Sequence, residues 1–387
     1  MKKALFLSHV PITPVVGGDR IRIFQTLRLL ASRFRVDVVC ITHSRGHQEP
    51  LSKSISGIWS EKYFYIPLLK RCFNAAKTFF NAAPEMVNHY RHGKVRRYID
   101  SIAGNYDVIV CGSATMAGYF FHTSADNVYV DFTDSFTLNL DHAAAVSGGL
   151  AKIWHKINAK RMRVYERECR ETFRKVAYIS CRDRDYIGAD AGNTCILKNS
   201  VAMPAEDDCC RHTPDSKTIV FVGKMDYAPN IEACCYFVNE VLPAVAQSCP
   251  DVKFIIVGMS PTAKVERLAK DNSRVTVTGK VESVADYYRN AAVVVAPMVS
   301  GSGLQNKILE AMAHGCCVVT TPVGADGLES EAHGLIVAGD SALMAQNCIK
   351  LLNDHNLGKS LGDKNKKYVR DTYSYEATAG QFDDFIG

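Results

Sequence analysis

Residues 296–328, APMVSGSGLQNKILEAMAHGCCVVTTPVGADGL, hold the chain's most chemically suggestive pattern. A short apolar run over 291–297 is closed by Pro297, and Ser300-Gly301-Ser302-Gly303 follows as a loop of small, flexible residues. Residues 304–314 then have helical spacing, with Leu304, Ile308, Ala311 and Met312 on one face. Gly315 stands where a left-handed helix stop belongs, and residues 316–321 read as a buried strand. A bare glycine loop opening a helix presents free backbone N–H groups and the positive end of the helix dipole, which together attract an anion. Lys307, one turn into that helix, adds a point charge. Glu310 lies seven residues beyond Gly303, roughly 10 Å along the axis at a rise of about 1.5 Å per residue. That separation suits a ligand whose phosphates rest on the loop while a pair of sugar hydroxyls reaches the carboxylate, the shape of a nucleoside diphosphate. A crossover that binds nothing can use the same residues, so the elements around the loop must decide.

Those elements alternate throughout. The first half offers strands over 4–9, 36–41, 64–66, 108–111, 128–131 and 176–180, with helices over 21–33 and 152–174. Residues 201–217 break the pattern with two prolines, three successive acids and a cysteine pair, and read as a linker. Strands over 218–222, 253–257 and 275–278 then alternate with helices over 231–246, 261–271 and 284–290 before the glycine loop. Tyr373, Tyr375, Phe382 and Phe385 give residues 371–386 enough apolar mass to dock as a last helix. Alternation of this kind predicts an α/β chain with two Rossmann-like doubly wound parallel sheets: residues 1–200, the linker 201–217, residues 218–370, and a closing helix over 371–387 that packs back towards the first domain. Ligands of such sheets gather at the carboxyl ends of the strands.

Composition fits a globular chain: 387 residues, 47% hydrophobic and 22% charged. No stretch is apolar and long enough to span a bilayer. The apolar run after Met1-Lys2-Lys3 is too short for a signal peptide and is met at once by Pro11 and Pro14, so it reads as a first strand. The fourteen cysteines include three adjacent pairs and no Cys-x-x-Cys, which argues for free thiols in a reducing cytosol and against a structural zinc site. Charge is uneven: residues 1–200 carry 29 Lys and Arg against 17 Asp and Glu, and residues 201–387 carry 17 against 23. Two basic stretches interleave with aromatics, Lys70, Arg71, Lys77, Arg91, Lys94, Arg96 and Arg97 with Phe73, Phe79, Phe80 and Tyr90, and 152–175 with Trp154, Tyr165 and Phe173. Such stretches suit peripheral contact with an anionic membrane at the inner face, or a solvated helix surface. No base-reading motif is present, so nucleic acid is not an expected partner.

The second half resembles the retaining family-4 glycosyltransferases of bacterial surface-polysaccharide synthesis, which have the GT-B fold of two Rossmann-like domains facing each other across a cleft. The residues that carry the resemblance are Phe221-Val222-Gly223-Lys224-Met225 with Pro229-Asn230, Val257-Gly258, residues 277–281, Tyr287-Tyr288, residues 301–315, and above all Leu309-Glu310-Ala311-Met312-Ala313 with Gly315. Gly17-Gly18 and residues 130–135 extend it, more loosely, through the first half. The resemblance implies a metal-independent glycosyltransferase without cofactor, acting in the cytoplasm. Its donor would be a nucleotide-diphosphate sugar and its acceptor a glycan or lipid-linked precursor. Glu310 would hold the ribose, and Gly301, Ser302, Gly303 and Leu304 would meet the diphosphate. Lys224 would neutralise it with Lys307 in support, Gly223 would border the donor, Gly279, Lys280 and Val281 would approach the base, and Gly17 and Gly18 would admit the opposite domain. The family's usual pair of glutamates is reduced to Glu310, because Ser302 stands at the first position. Its second cation is replaced by Asn230.

Other residues carry weaker signals. Asp134 or Asp131 follows a strand and either orients an acceptor hydroxyl or caps the next helix. His9, His122, His142 and His155 are scattered, and none stands out as a base. Asp183-Arg184-Asp185 mimics a metal-binding pair but falls on a helix-like stretch, so no metal site is assigned. Glu166 and Glu168 read as partners in intrahelical ion pairs. A nucleotide-sugar epimerase or phosphorylase, or a silent binding module, would share the architecture. A dehydrogenase is disfavoured because no Gly-x-Gly-x-x-Gly follows the first strand of either half.

Overall fold

The computed structural model describes residues 2–15, 18–43, 49–123, 125–188, 192–213, 216–301, 303–328 and 334–387. The chain forms two compact units, one of Met1–Asn199 with Thr378–Gly387, the other of Ser200–Ala377.

The first unit holds β1 (Lys3–Ser8), β2 (Arg35–Thr42), β3 (Ile58–Tyr65), β4 (Val108–Cys111), β5 (Val128–Asp131), β6 (Lys175–Tyr178) and β7 (Thr194–Ile196). They pair in the order β3-β2-β1-β4-β5-β6-β7, all in parallel. Ala4, Leu5, Phe6 and Leu7 are all buried, as a central strand covered on both faces requires. The helix Gly18–Ala31 lays Ile23, Leu27 and Leu30 inward. The long helix Gly149–Thr172 buries Met162, Tyr165 and Cys169.

The second unit holds β8 (Thr218–Val222), β9 (Lys253–Val257), β10 (Val275–Val277), β11 (Val293–Ala296), β12 (Val318–Thr320) and β13 (Ile336–Val337), in the order β10-β9-β8-β11-β12-β13. This sheet too is parallel throughout. Phe221, Phe237 and Phe254 sit in the core on one face, and Ile308, Leu309 and Met312 in the core on the other.

Several expectations change in detail. The strand expected over 64–66 begins at Ile58, and β7 and β13 are too short to leave a pattern. The helix expected over 231–246 is broken: Ala228–Tyr236 passes through a π-turn at Phe237–Val241 into Leu242–Ser248. Pro243, which cannot donate within a helix, explains the break. The described residues 201–213, within the stretch expected as a linker, are fastened along the second unit. Val201 N donates to Tyr373 O at 2.7 Å, Cys210 N to His314 O at 2.8 Å and Arg211 N to Arg289 O at 3.0 Å. Its acids meet nearby cations, Glu206 with Lys366 and Asp208 with Arg289. The last helix, Tyr375–Ile386, begins after a break at Ser374. Its later residues belong to the first unit, where Lys198 N donates to Gln381 Oε1 at 2.8 Å and Phe385 lies 5.6 Å from Tyr129, ring to ring. All fourteen cysteines are free.

Candidate functional site

In the second unit the chain runs outward from β8 through β9 to β10, then returns to lay β11 on the other side of β8. The loops leaving β8 and β11 therefore diverge, and a crevice opens between them at the carboxyl ends of the strands, where ligands of such sheets sit. The β8 loop carries Gly223 and Lys224; the β11 loop carries Gly301, Gly303 and Leu304. Gly279, Lys280 and Val281 follow β10, two strands from β8, roughly 10 Å away at about 4.8 Å per strand. The turn at Gly223 has no spare room. A Cβ on Gly258, whose φ is +152°, would lie 1.7 Å from Gly223 O.

Asn230 organises this end of the sheet. It lies in the first turn of the helix Ala228–Tyr236, buried, next to Pro229. Its Nδ2 donates to Lys224 O at 2.9 Å, and its Oδ1 accepts from Lys307 Nζ. One amide thus ties the β8 loop to the helix that follows β11. The Lys307 ammonium also lies 3.5 Å from Met298 Sδ and 5.1 Å from the centre of the Phe221 ring. Burial pulls its pKa down to about 8, against the attraction of Cys234 and Glu310. From sequence alone Asn230 marked only a missing cation; its bond to Lys307, 77 residues later, gives it a role.

The helix after the loop is Asn306–Ala313, two residues shorter at its start than the spacing suggested. Lys307 is consequently in the first turn, where the dipole is strongest. Gly301 and Gly303 have φ of +112° and +74°, a left-handed backbone that favours glycine. Ser302 lies outside the described residues. Gln305 Nε2 donates to Gly303 O at 3.3 Å, and the second glycine turn braces the loop: a Cβ on Gly327 would lie 3.5 Å from Leu304 N. Leu304 and Val281 are half-buried against one apolar cluster. Glu310 sits one turn after Lys307 on the same face. Burial raises its carboxyl pKa and the Lys307 charge opposes that. Among the described residues no hydrogen bond to the Glu310 carboxylate is formed. The phenol of Tyr288, also buried without a partner among them, lies near enough to feel its charge. Lys224 is half-exposed, with its ammonium 3.0 Å from Asp226 Oδ2, a neutralising partner the sequence reading did not assign. Gly279 has φ of +68°, and its carbonyl accepts from Thr278 Oγ1 at 2.9 Å, which fixes the turn before exposed Lys280.

In the first unit, Gly18 opens the helix Gly18–Ala31, and Gly17 lies outside the described residues. Asp131 is committed elsewhere. Arg22 donates to both its oxygens, at 2.8 and 2.9 Å, and Thr26 Oγ1 adds a third bond at 2.8 Å, all buried. The next helix is capped by Ser135, whose Oγ accepts from Leu138 N, so neither aspartate serves as cap. Asp134 is largely buried, and burial together with the charges of Asp183 and Asp19 pushes its carboxyl up to about 6. Asp183 itself is structural: it accepts from Ser135 N at 2.9 Å and from Ser180 Oγ. Among the described residues Glu166 forms no intrahelical ion pair. It is fully buried and accepts from Phe136 N at 2.8 Å and Thr137 Oγ1 at 2.7 Å, crowning the start of another helix. Of His9, His122, His142 and His155, His9 follows the end of β1, and His43, which the sequence reading did not single out, follows the end of β2. The His9 ring is half-buried, 5.4 Å from Tyr90, and its Nδ1 has no hydrogen-bond partner among the described residues.

Residues 216–354, which contain β8 to β13, match the protein family described as Glycosyl transferases group 1. The chain carries a group 1 glycosyltransferase domain. An uncharacterized 44.6 kDa protein in the cps region of Klebsiella pneumoniae is 20% identical over 96% of this chain and 97% of its own. A phosphatidyl-myo-inositol mannosyltransferase of Mycobacterium leprae is 24% identical over 75% of each chain. Among solved structures, Anabaena HepE in complex with UDP and glucose superposes with a TM-score of 0.66 at 14% identity, covering 100% of this chain and 99% of that one. The two parallel-sheet units are thus the GT-B pair, and the glycosyltransferase domain is the unit in which the Lys307–Asn230 tie lies.

Proposed function

We propose that this glycosyltransferase moves a sugar from a nucleotide-diphosphate donor to a glycan or lipid-linked acceptor in cell-surface glycan synthesis, with retention at the anomeric carbon and without a metal ion. The single observation that carries the reading is the fixed cation at the β8–β11 crevice. Lys307 is held by Asn230 in the first turn of a helix that opens from a glycine loop, with Glu310 one turn further on. Loop amides, the helix N-terminus and Lys307 would stabilise the departing diphosphate, with Lys224 adding charge from the rim. Glu310 would accept hydrogen bonds from the ribose hydroxyls, which suits a carboxylate that has no other partner among the described residues. Residues 279–281 would border the base. Asp134 would act on the acceptor hydroxyl. The names of the relatives support the same direction, one from a cps region, one a mannosyltransferase acting on a lipid, and one bound to UDP and glucose.

The test is calorimetry against a panel of nucleotide diphosphates and their sugars, followed by transfer assays on Glu310→Ala and Lys307→Met. Loss of one charge-stabilising group costs on the order of 10²–10³ in rate. Near-normal turnover in both variants would remove these roles. Product formed without any acceptor, or only with free phosphate, would instead mark an epimerase or a phosphorylase.

A further inference from the structure

Residues 206–212 meet the turn before β12 in a cluster of thiols and imidazoles that the transfer chemistry does not use. A cavity of about 730 Å³ lies beside it, lined in part by Cys209, Cys210, His212, His355, Lys359 and Lys366. It stands at the C-terminal end of the helix Asn306–Ala313, where Cys210 N donates to His314 O, and Lys307 lies at the opposite end. Cys210 and Cys316 share one apolar cluster, whereas Cys317 belongs to the core on the other face of the sheet. The Cys316 sulfur lies 3.5 Å from Tyr288 O. The Cys210 sulfur lies 3.3 Å from Ala291 O, a contact that favours its protonated form. Three donors oppose that contact at the same sulfur: Cys316 S–H, the His212 imidazole and the His212 N–H.

His212 is held in place from several sides. Its φ is +47°, a left-handed backbone that residues with side chains seldom adopt. Its Nε2 lies 2.8 Å from Gly315 O. A Cβ on Gly362, in the helix His355–Tyr373, would come 2.0 Å from Gly315 O and 2.8 Å from His212 Nε2, so that glycine makes the seat for the ring. The Cys316 hydrogen bond first, and then the His212 imidazole, hold the Cys210 thiol well below its usual range against the opposing effect of burial. Burial depresses the His212 imidazole, but the Cys210 sulfur, the Gly315 carbonyl and the Asp363 charge together raise it. Burial keeps the Cys316 thiol protonated. A thiolate beside an imidazolium, with a protonated thiol in contact, is the arrangement of a reactive cysteine and its resolving partner. Cys209, next in the chain and 3.1 Å from Lys366 Nζ, is a poor partner for Cys210 because adjacent cysteines bridge with strain.

We propose that Cys210 is a modification site for hydroperoxides, with Cys316 as the thiol that resolves it to a disulfide. The Cys210 thiolate attacks the outer peroxide oxygen, the O–O bond breaks, and the departing oxygen takes the proton of the His212 imidazolium. The products are a sulfenic acid on Cys210, an alcohol or water, and neutral His212. The Cys316 sulfur then attacks the sulfenic sulfur. The S–O bond breaks, the S–S bond forms, and water leaves with the Cys316 proton. The two sulfurs together lose two electrons, which the peroxide takes up. The link would staple residues 206–212 to the turn before β12. The site lies wholly within the second unit, at the end of the helix remote from Lys307, and does not depend on the donor reading.

The experiment uses the full reduced chain, without donor. At about pH 6 an ordinary thiol is almost wholly protonated. Iodoacetamide should therefore label Cys210 roughly tenfold faster than the exposed Cys72 and Cys181. Brief treatment with equimolar hydrogen peroxide, then blocking of free thiols and peptide mass mapping, should yield one linked pair, Cys210 with Cys316, lighter by two hydrogens. His212→Gln should slow both labelling and oxidation by on the order of tenfold. In Cys316→Ser the pair should be absent, and dimedone should trap the sulfenic acid on Cys210. Cys209→Ser should form the pair at the wild-type rate. Thermal unfolding reports that each variant is folded, and the wild-type measurements decide the proposal without any variant. It is overturned if Cys210 labels no faster than Cys72 and Cys181, or if peroxide links Cys210 to another cysteine or to none. It is overturned too if His212→Gln reacts as fast as the wild type. None of those results would alter donor titrations on the reduced chain, so a failure here is distinct from a failure of the transferase reading.

Discussion

Lys307 donates a hydrogen bond from its ammonium to the side-chain carbonyl of Asn230, 77 residues earlier in the chain, and the same amide donates to the carbonyl of Lys224. This arrangement fixes the cation by geometry that the helix itself does not supply. Among the described residues no carboxylate contacts the lysine directly, so its charge is available to an incoming anion.

Replacing Asn230 should therefore damage catalysis without removing any group that touches substrate. In Asn230→Ala the lost bond to a charged donor is worth about 1.5–3 kcal/mol, roughly ten- to a hundredfold in kcat/KM. Asn230→Asp keeps an acceptor for Lys307 but sets a neutralising carboxylate on the ammonium and loses the donor to Lys224 O, and should not recover the loss. Steady-state kinetics of the two variants at equal folded fraction check this. Equal activity in both variants and wild type would show that the tie is dispensable.

The lowered pKa of Lys307 sets a pH dependence for donor binding. Below about 8 the side chain is an ammonium, and as pH rises through about 8 the free enzyme loses that cation. Affinity for a nucleoside diphosphate should be flat from pH 6 to 7.5, on the order of the reference plateau, and fall above about 8. Lys307→Arg, whose guanidinium stays charged, should move the fall beyond about pH 10. Calorimetric titrations across that range read the effect directly; a wild-type profile flat past pH 9, roughly one unit above the shift, would contradict it.

Asp134 should produce the opposite limb. Its carboxyl is raised to about 6, so it is protonated below that pH and charged above it. If the carboxylate orients the acceptor hydroxyl, kcat/KM should decline as pH falls through about 6. Asp134→Asn should abolish that limb together with most of the rate. Asp19→Asn, which removes one of the charges that raise the group, should shift the limb to lower pH. An unchanged acid limb in Asp134→Asn would assign it to another group.

Asp131, by contrast, should affect stability. Its carboxylate and the Arg22 guanidinium are both buried and pair through two hydrogen bonds. Removing one partner leaves an uncompensated charge, at about 3–5 kcal/mol. Urea denaturation of Asp131→Ala and Arg22→Met should show losses of that order. Wild-type midpoints in both would show that the pair carries no net stabilisation.

The amino-acid sequence determined the elements and the face they share. Valine-rich runs such as 293–296 are strands because β-branched residues fit a sheet buried on both sides. Lys307 and Glu310 fall on one side of their helix because three residues make nearly one turn. The positive φ at Gly301 and Gly303 follows from residues without a Cβ. What only the tertiary structure decided are the partnerships between distant residues. Asn230 with Lys307, Arg22 with Asp131, Glu166 with the start of another helix, and residues 206–212 with the second unit leave no periodic trace, because each depends on which loops the sheet order brings together. Helical and strand periods are local and can be read along the chain. The partner of a buried polar group is set by the whole packing, which must satisfy that group once water is gone.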